Sequence, residues 1–140
     1  MTNTAVASDI YSYFATSNRL DQIAEASGHT RTFTDDAAGN VTYDNRSGGG
    51  YGYSYDAAGR MSEMSINGVV QAEYEYNALG QQVVRRLTPT QQTIHNVFDL
   101  DGNRIAEYDH DAGTGVSTLF GEYIWMDKQS GLSKEVRSSL

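Results

Sequence analysis

Apolar and polar residues alternate along this chain with a period of two. In YGYSYDAAGRM, residues 51 to 61, tyrosines stand at 51, 53 and 55 and give way to Asp56-Ala57-Ala58-Gly59. On an extended strand residues i and i+2 share a face, so the three rings look the same way. Tyr74 and Tyr76 repeat the pattern, with Glu73 and Glu75 looking the other way. One face is apolar and one is solvated. The segment after the aromatics carries turn chemistry: an Asp or Asn side chain bonds the backbone just ahead, and Gly tolerates positive φ. Beyond the turn, Arg19-Leu20, Arg60-Met61 and Arg104-Ile105 open a return strand. The predicted element is a β-hairpin.

That element recurs. YSYFATSNRL (11–20), FTDDAAGNV (33–41), YSYDAAGRM (53–61), YEYNALGQQV (74–83) and NVFDLDGNRI (96–105) align on Ser17, Gly39, Gly59, Gly80 and Gly102, which lie 22, 20, 21 and 22 residues apart. Four residues before each anchor stand Tyr13, Asp35, Tyr55, Tyr76 and Phe98, and six before stand Tyr11, Phe33, Tyr53, Tyr74 and Asn96. Asp35 and Asn96 depart from the aromatic columns, and each leaves an aromatic in the other column of its own repeat. A fixed period in this range marks a repeat architecture. One period divides into two strands of ~6–7 residues and two short connections. The prediction is a mainly β chain, a curved antiparallel sheet of successive hairpins over residues 1–127. A polar tail without repeat character follows at 128–140, the one place where helix is expected, if anywhere.

Composition agrees with strands and tight turns. Ten Tyr, four Phe and one Trp accompany fourteen Gly and a single Pro in 140 residues, a balance that favours sheet over helix. The length fits one compact domain or one piece of a larger array. A formal net charge of −8, with the basic residues scattered, argues against a phosphate-binding surface and so against nucleic acid as a partner. The chain contains no cysteine, which removes disulfides, thiolate metal sites and cysteine nucleophiles. The start, MTNTAVASDIYSY, has neither a basic n-region nor an apolar h-region, and no run approaches the ~20 apolar residues of a membrane span. The expectation is a cytoplasmic chain, as written, with no membrane span.

YSYDAAGRM and its copies resemble the YD repeat of the Rhs (rearrangement hotspot) family, shared with the C components of bacterial toxin complexes and with teneurins. DGNRIAEYDHDAGTGVSTLFGEYIWMD, residues 101 to 127, is further similar to the entry to the Rhs repeat-associated core, where a Glu-Tyr-Ile-Trp strand follows a last repeat. In that family long runs of hairpins wind into a hollow shell around a polymorphic toxin, and the parent proteins are exported or displayed on the cell surface. The resemblance implies hairpins of a shell, here without the toxin or the self-cleaving core. The implied role is a structural fragment of the shell of a polymorphic-toxin system. A carbohydrate- or protein-binding module that uses its aromatic face remains the alternative.

Candidate chemistry is sparse. Asp99, Asp101 and Asn103 alternate as in calcium loops, but position 110 is His110 where such a loop places a bidentate acid, and the same positions form the turn in the other repeats. DHDAGTG (109–115) reads as a solvated loop before the last strand, and SGGGYGY (47–53) as a flexible hairpin connection. Gly59 is expected to hold positive φ and Gly49 to tolerate substitution. His29, His95 and His110 lack ligand spacing, and no Gly-x-Ser-x-Gly elbow appears. The expectation is no enzyme, no metal and no cofactor. The singled-out residues are instead a structural ladder: Tyr11, Tyr13, Phe33, Tyr53, Tyr55, Tyr74, Tyr76, Phe98, Tyr123 and Trp125. Residues 123 to 126 are expected to form an apolar strand. Open strand edges and the aromatic face predict a homo-oligomer, or pairing with other Rhs segments.

Overall fold

The computed structural model describes residues 8–125. The strands are β1 (Ile10–Tyr13), β2 (Leu20–Ala24), β3 (Thr30–Asp35), β4 (Val41–Arg46), β5 (Gly49–Tyr55), β6 (Met61–Ile66), β7 (Val69–Tyr76), β8 (Gln82–Leu87), β9 (Gln92–Phe98), β10 (Arg104–Asp111) and β11 (Val116–Glu122). The protein is all-β: these eleven antiparallel strands form one open sheet in sequence order, and no helix occurs among the described residues. The expected tail, 128–140, lies outside the described residues, as does Met126. Packing divides the chain into two units, residues 1–70 and 71–140, with the boundary inside β7.

In the first unit, register places Tyr11 opposite Ile23, Ile23 opposite Arg31, Phe33 opposite Asp44, and Asp44 opposite Tyr51. Tyr53 faces Met64 and Tyr51 faces Ile66. These residues share one face, the face that carries the aromatics. In the second unit the corresponding row runs from Tyr74 through Arg85 and Ile94 to Asp109, with Asn96, Glu107 and Gly121 beside it. Few side chains are buried. Among the described residues the buried apolar ones are Ile23, Ala72, Val84, Ile94 and Ala106, joined by two carboxylates, Asp44 and Glu107.

Four of the repeat turns are built the same way. At 56–60 the Asp56 amide donates to the Arg60 carbonyl, and the Gly59 amide donates to the Asp56 carbonyl. The Asp56 side chain takes the amides of Ala58 and Arg60 at 2.8 and 3.0 Å. Asp36, Asn77 and Asp99 repeat this arrangement at 36–40, 77–81 and 99–103. Gly39, Gly59, Gly80 and Gly102 all hold positive φ, as the alignment anticipates. Ser17 keeps the anchor's bond, donating its amide to the Phe14 carbonyl, but the Phe14 amide reaches to Arg19. That loop is one residue longer, and Ser17 needs no left-handed backbone.

Four expectations are corrected. SGGGYGY is not a loose connection: only Ser47 and Gly48 turn, and β5 begins at Gly49. Gly50 and Gly52 lie within the sheet, and the Tyr43 ring occupies the space that a β-carbon at Gly50 would take. Gly49 is the constrained glycine there, with φ of 145° and the Asn67 side chain 2.9 Å from where its Cβ would stand. Likewise, Asp109, His110 and Asp111 belong to β10, and the loop is only 112–115. The described part of the expected apolar strand, residues 123 to 125, lies past the end of β11 at Glu122.

Candidate functional site

A register shift follows every repeat turn. Tyr13 pairs Leu20 while Ser12 pairs Gln22, so Asp21 is an extra residue on the return strand. Thr42, Ser62, Val83 and Ile105 are the extra residues of the other four hairpins. These bulges recur with the period of the sequence repeat. A bulge leaves ladder groups unpaired and increases strand twist, so the carbonyl just before it must find another donor if it is shielded from water.

For β4, β8 and β10 a side chain from further along the chain supplies that donor. The Tyr55 hydroxyl on β5 donates to the carbonyl of Val41, first residue of β4, at 2.8 Å. On β9 the Asn96 amide nitrogen donates to the carbonyl of Gln82, first residue of β8, at 2.8 Å. Beyond β11 the Trp125 indole N–H donates to the carbonyl of Arg104, first residue of β10, at 2.6 Å. The departure at Asn96 thus has a physical reason. Phe98 occupies the Tyr55 column without a hydroxyl, and Asn96, two residues earlier on the same face, makes the bond instead. At the other departure, Asp35 lies 3.8 Å from the Arg19 guanidinium.

None of the ten ladder residues is buried. Phe33, Tyr53, Tyr55, Tyr74, Tyr76, Phe98 and Tyr123 are half-buried, and Tyr11, Tyr13 and Trp125 are exposed. The tightly held groups are two carboxylates that the sequence reading passes over, each two residues past a bulge. Asp44, 2% exposed, receives Arg31 Nε and Nη2 at 2.6 Å each and Arg46 Nε at 2.7 Å. Arg31 and Arg46 also lie over the rings of Phe33 and Tyr51, at 5.0 and 4.3 Å. Burial pushes the Asp44 carboxyl up, and the bonds from the two guanidinium groups outweigh it and hold the group below its ordinary value. Glu107, 5% exposed, takes Arg104 Nη1 at 2.9 Å and the Tyr123 hydroxyl. Arg104 lies 4.4 Å from the centre of the Tyr123 ring. The bond to Glu107, then burial, raises the Tyr123 phenol above its usual range.

The remaining candidates do not converge into a reactive centre. Asp99 spends its carboxylate on the turn, accepting the amides of Asp101 and Asn103 and the Asn103 side-chain nitrogen. His29 Nε2 lies 3.0 Å from the Asn45 carbonyl, which fixes the proton on that nitrogen. His95 and His110 meet edge to face at 5.3 Å, and His110 Nδ1 bonds Ser117 Oγ. A cleft of about 650 Å³ lies between the loops at 88–91 and 112–115. Within its lining Gln92 bonds Asp109, and Asp111 caps Gly113 and Thr114. Among the described residues no three His, Asp or Glu side chains gather as a metal ion requires, and no helix is long and apolar enough to cross a membrane. Comparison of the sequence with known protein families and with curated proteins returned no match.

Proposed function

We propose that this chain is a structural array of YD-type hairpins, a wall segment of an Rhs-like shell that contributes no chemistry of its own. The observation that carries the reading is the bond from one hairpin to the first carbonyl of the return strand of the hairpin before it, made by Tyr55 and Asn96. Each hairpin is incomplete until its successor is in place, which is the property of a unit meant to be repeated. The buried carboxylates fit the same role, since Asp44 is saturated by guanidinium groups and Glu107 by Arg104 and Tyr123. Neither is free to abstract a proton from a substrate.

Inserting a second copy of residues 49–68 after Gly68 tests the array. The expected result is a folded β chain whose urea midpoint and m-value both rise, because surface buried on folding grows with each unit. Loss of the fold on insertion overturns the reading, as does hydrolase, nuclease or deaminase turnover by the purified chain. The flanking genomic sequence tests the context, with further repeats upstream and a toxin or immunity gene downstream as the expected arrangement.

A further inference from the structure

Two of the three histidines meet across a strand pair. His95 lies on β9 and His110 on β10. Register sets His95 opposite Tyr108, so His110 is its diagonal neighbour, and the two rings stand 5.3 Å apart, centre to centre, at 71°. His95 is exposed and His110 half-buried. They are far apart in sequence and joined only by strand pairing, so spacing along the chain does not announce them. His110 Nδ1 lies 3.0 Å from Ser117 Oγ on β11. That bond orients the ring and leaves Nε2 as its other polar atom. Metal-bound imidazoles are held in this way, with one nitrogen on the ion and the other on a hydrogen-bond partner.

The separation fits an ion shared by the two rings. An ion about 2.0–2.1 Å from one nitrogen of each ring lies about 3.2 Å from each ring centre, and a tetrahedral angle at the ion then sets the centres about 5.2 Å apart. The observed 5.3 Å meets this with neither strand displaced. The exposed His95 ring completes the pair by turning about χ2, a soft torsion. We propose that His95 and His110 form a two-imidazole site for a divalent transition cation of the zinc class, which staples β9 to β10. Imidazole suits zinc, copper and nickel, whereas calcium and magnesium take oxygen ligands. No third His, Asp or Glu joins the pair among the described residues, so the site is open and water completes the shell. Affinity is then in the micromolar range, weaker than that of a closed four-residue site.

Zinc chloride titrated calorimetrically into the full chain tests the site, with the imidazole nitrogens followed by NMR. One ion per chain is expected, with coordination shifts at a nitrogen of His95 and at His110 Nε2. None is expected at His29, whose Nε2 is engaged by the Asn45 carbonyl. Magnesium at the same concentration should produce neither heat nor shift. His95→Ala and His110→Ala should each weaken zinc binding by about tenfold or more, while His29→Ala leaves it unchanged. The thermal midpoint of the wild-type chain should rise with zinc concentration, as binding to the folded state requires, and that of His95→Ala should not. His95 is exposed, so its removal should leave the circular dichroism unchanged, and a lost affinity then reports the ligand and not the fold. No saturable binding, equal affinity in His95→Ala, or shifts confined to other residues overturns the proposal and leaves the pair an edge-to-face contact alone. One ion per two chains also overturns it, by placing the ion between copies.

Discussion

Tyr55 shows how a column of aromatics does more than cover a face. Its ring is half-buried, while its hydroxyl closes a backbone gap that the bulge at Thr42 opens on the neighbouring strand. Tyr55→Phe removes only the hydroxyl and should cost about 1 kcal/mol in urea unfolding. Asn96→Ala should cost a similar amount, since it strips the donor from the Gln82 carbonyl. The decisive variant is Asn96→Ala with Phe98→Tyr, which moves the donor into the aromatic column. Recovery of most of the loss is expected, and no recovery would mean that the two columns are not equivalent. Charge makes a second case at this scale. Asp44 is buried between two arginines, so Arg31→Met should destabilise by about 1.5–3 kcal/mol, the range for hydrogen bonds to a charged group. Arg31→Met with Asp44→Leu should restore much of it, because the apolar pair leaves no buried charge alone, and Arg46, whose side chain is 44% exposed, keeps water and the Tyr53 hydroxyl as partners. A double variant less stable than the single one would contradict that account.

The hairpin is the element on which sequence and structure agree best. The Asp-Ala-Ala-Gly segment predicts its own turn because every required group lies within five residues: the carboxylate, the two amides that it accepts and the glycine in the left-handed region. Gly59→Val should therefore destabilise by about 1 kcal/mol or more through backbone strain alone, with open space around the new side chain. Gly49→Val should cost at least as much, since it meets both positive φ and the Asn67 side chain, and thermal melts of the two variants check the order. The reversal of the sequence expectation at Gly49 is instructive. A glycine run reads as flexible when its neighbours in space are unknown, and Tyr43 and Asn67 are brought against it only by strand pairing. The bulges were equally invisible, because one extra residue on a return strand leaves no compositional trace. The same holds for Asp44 and Glu107. Of their partners, Arg31 comes from the neighbouring strand and Tyr123 from the segment past β11, so neither local spacing nor alternation announces the cluster, whereas the aromatic columns repeat and can be read directly.

At the scale of the whole molecule two electrostatic effects of opposite sign meet. The chain carries a formal charge of −8 with a pI near 4.6, so acidification from pH 7 relieves self-repulsion and stabilises the compact state. Against this stand carboxylates whose folded environment favours the charged form. Asp36 and Asp99 are held down by the side chains of Asn40 and Asn103, Asp56 by the Arg60 backbone amide, and Asp44 by Arg31 and Arg46 despite its burial. A carboxyl whose folded pKa lies below its unfolded value near 3.8 contributes stability that is fully present above that value. The contribution is lost as pH falls toward the folded one. Repulsion fades first and the specific bonds fail later, so the unfolding midpoint should rise modestly between pH 7 and about 5 and fall below about 4. The chain holds its own control in Asn77, which builds the same turn with a neutral side chain. Converting Asp36, Asp56 and Asp99 together to Asn keeps the acceptor oxygen and removes the proton linkage at three turns. Circular dichroism melts from pH 7 to 2.5 should then show a shallower acid limb for the triple variant, with the residual slope attributable to Asp44 and the other carboxylates. An acid limb of unchanged steepness would show that the turns do not set the acid stability of this sheet and would shift the explanation to the buried pairs.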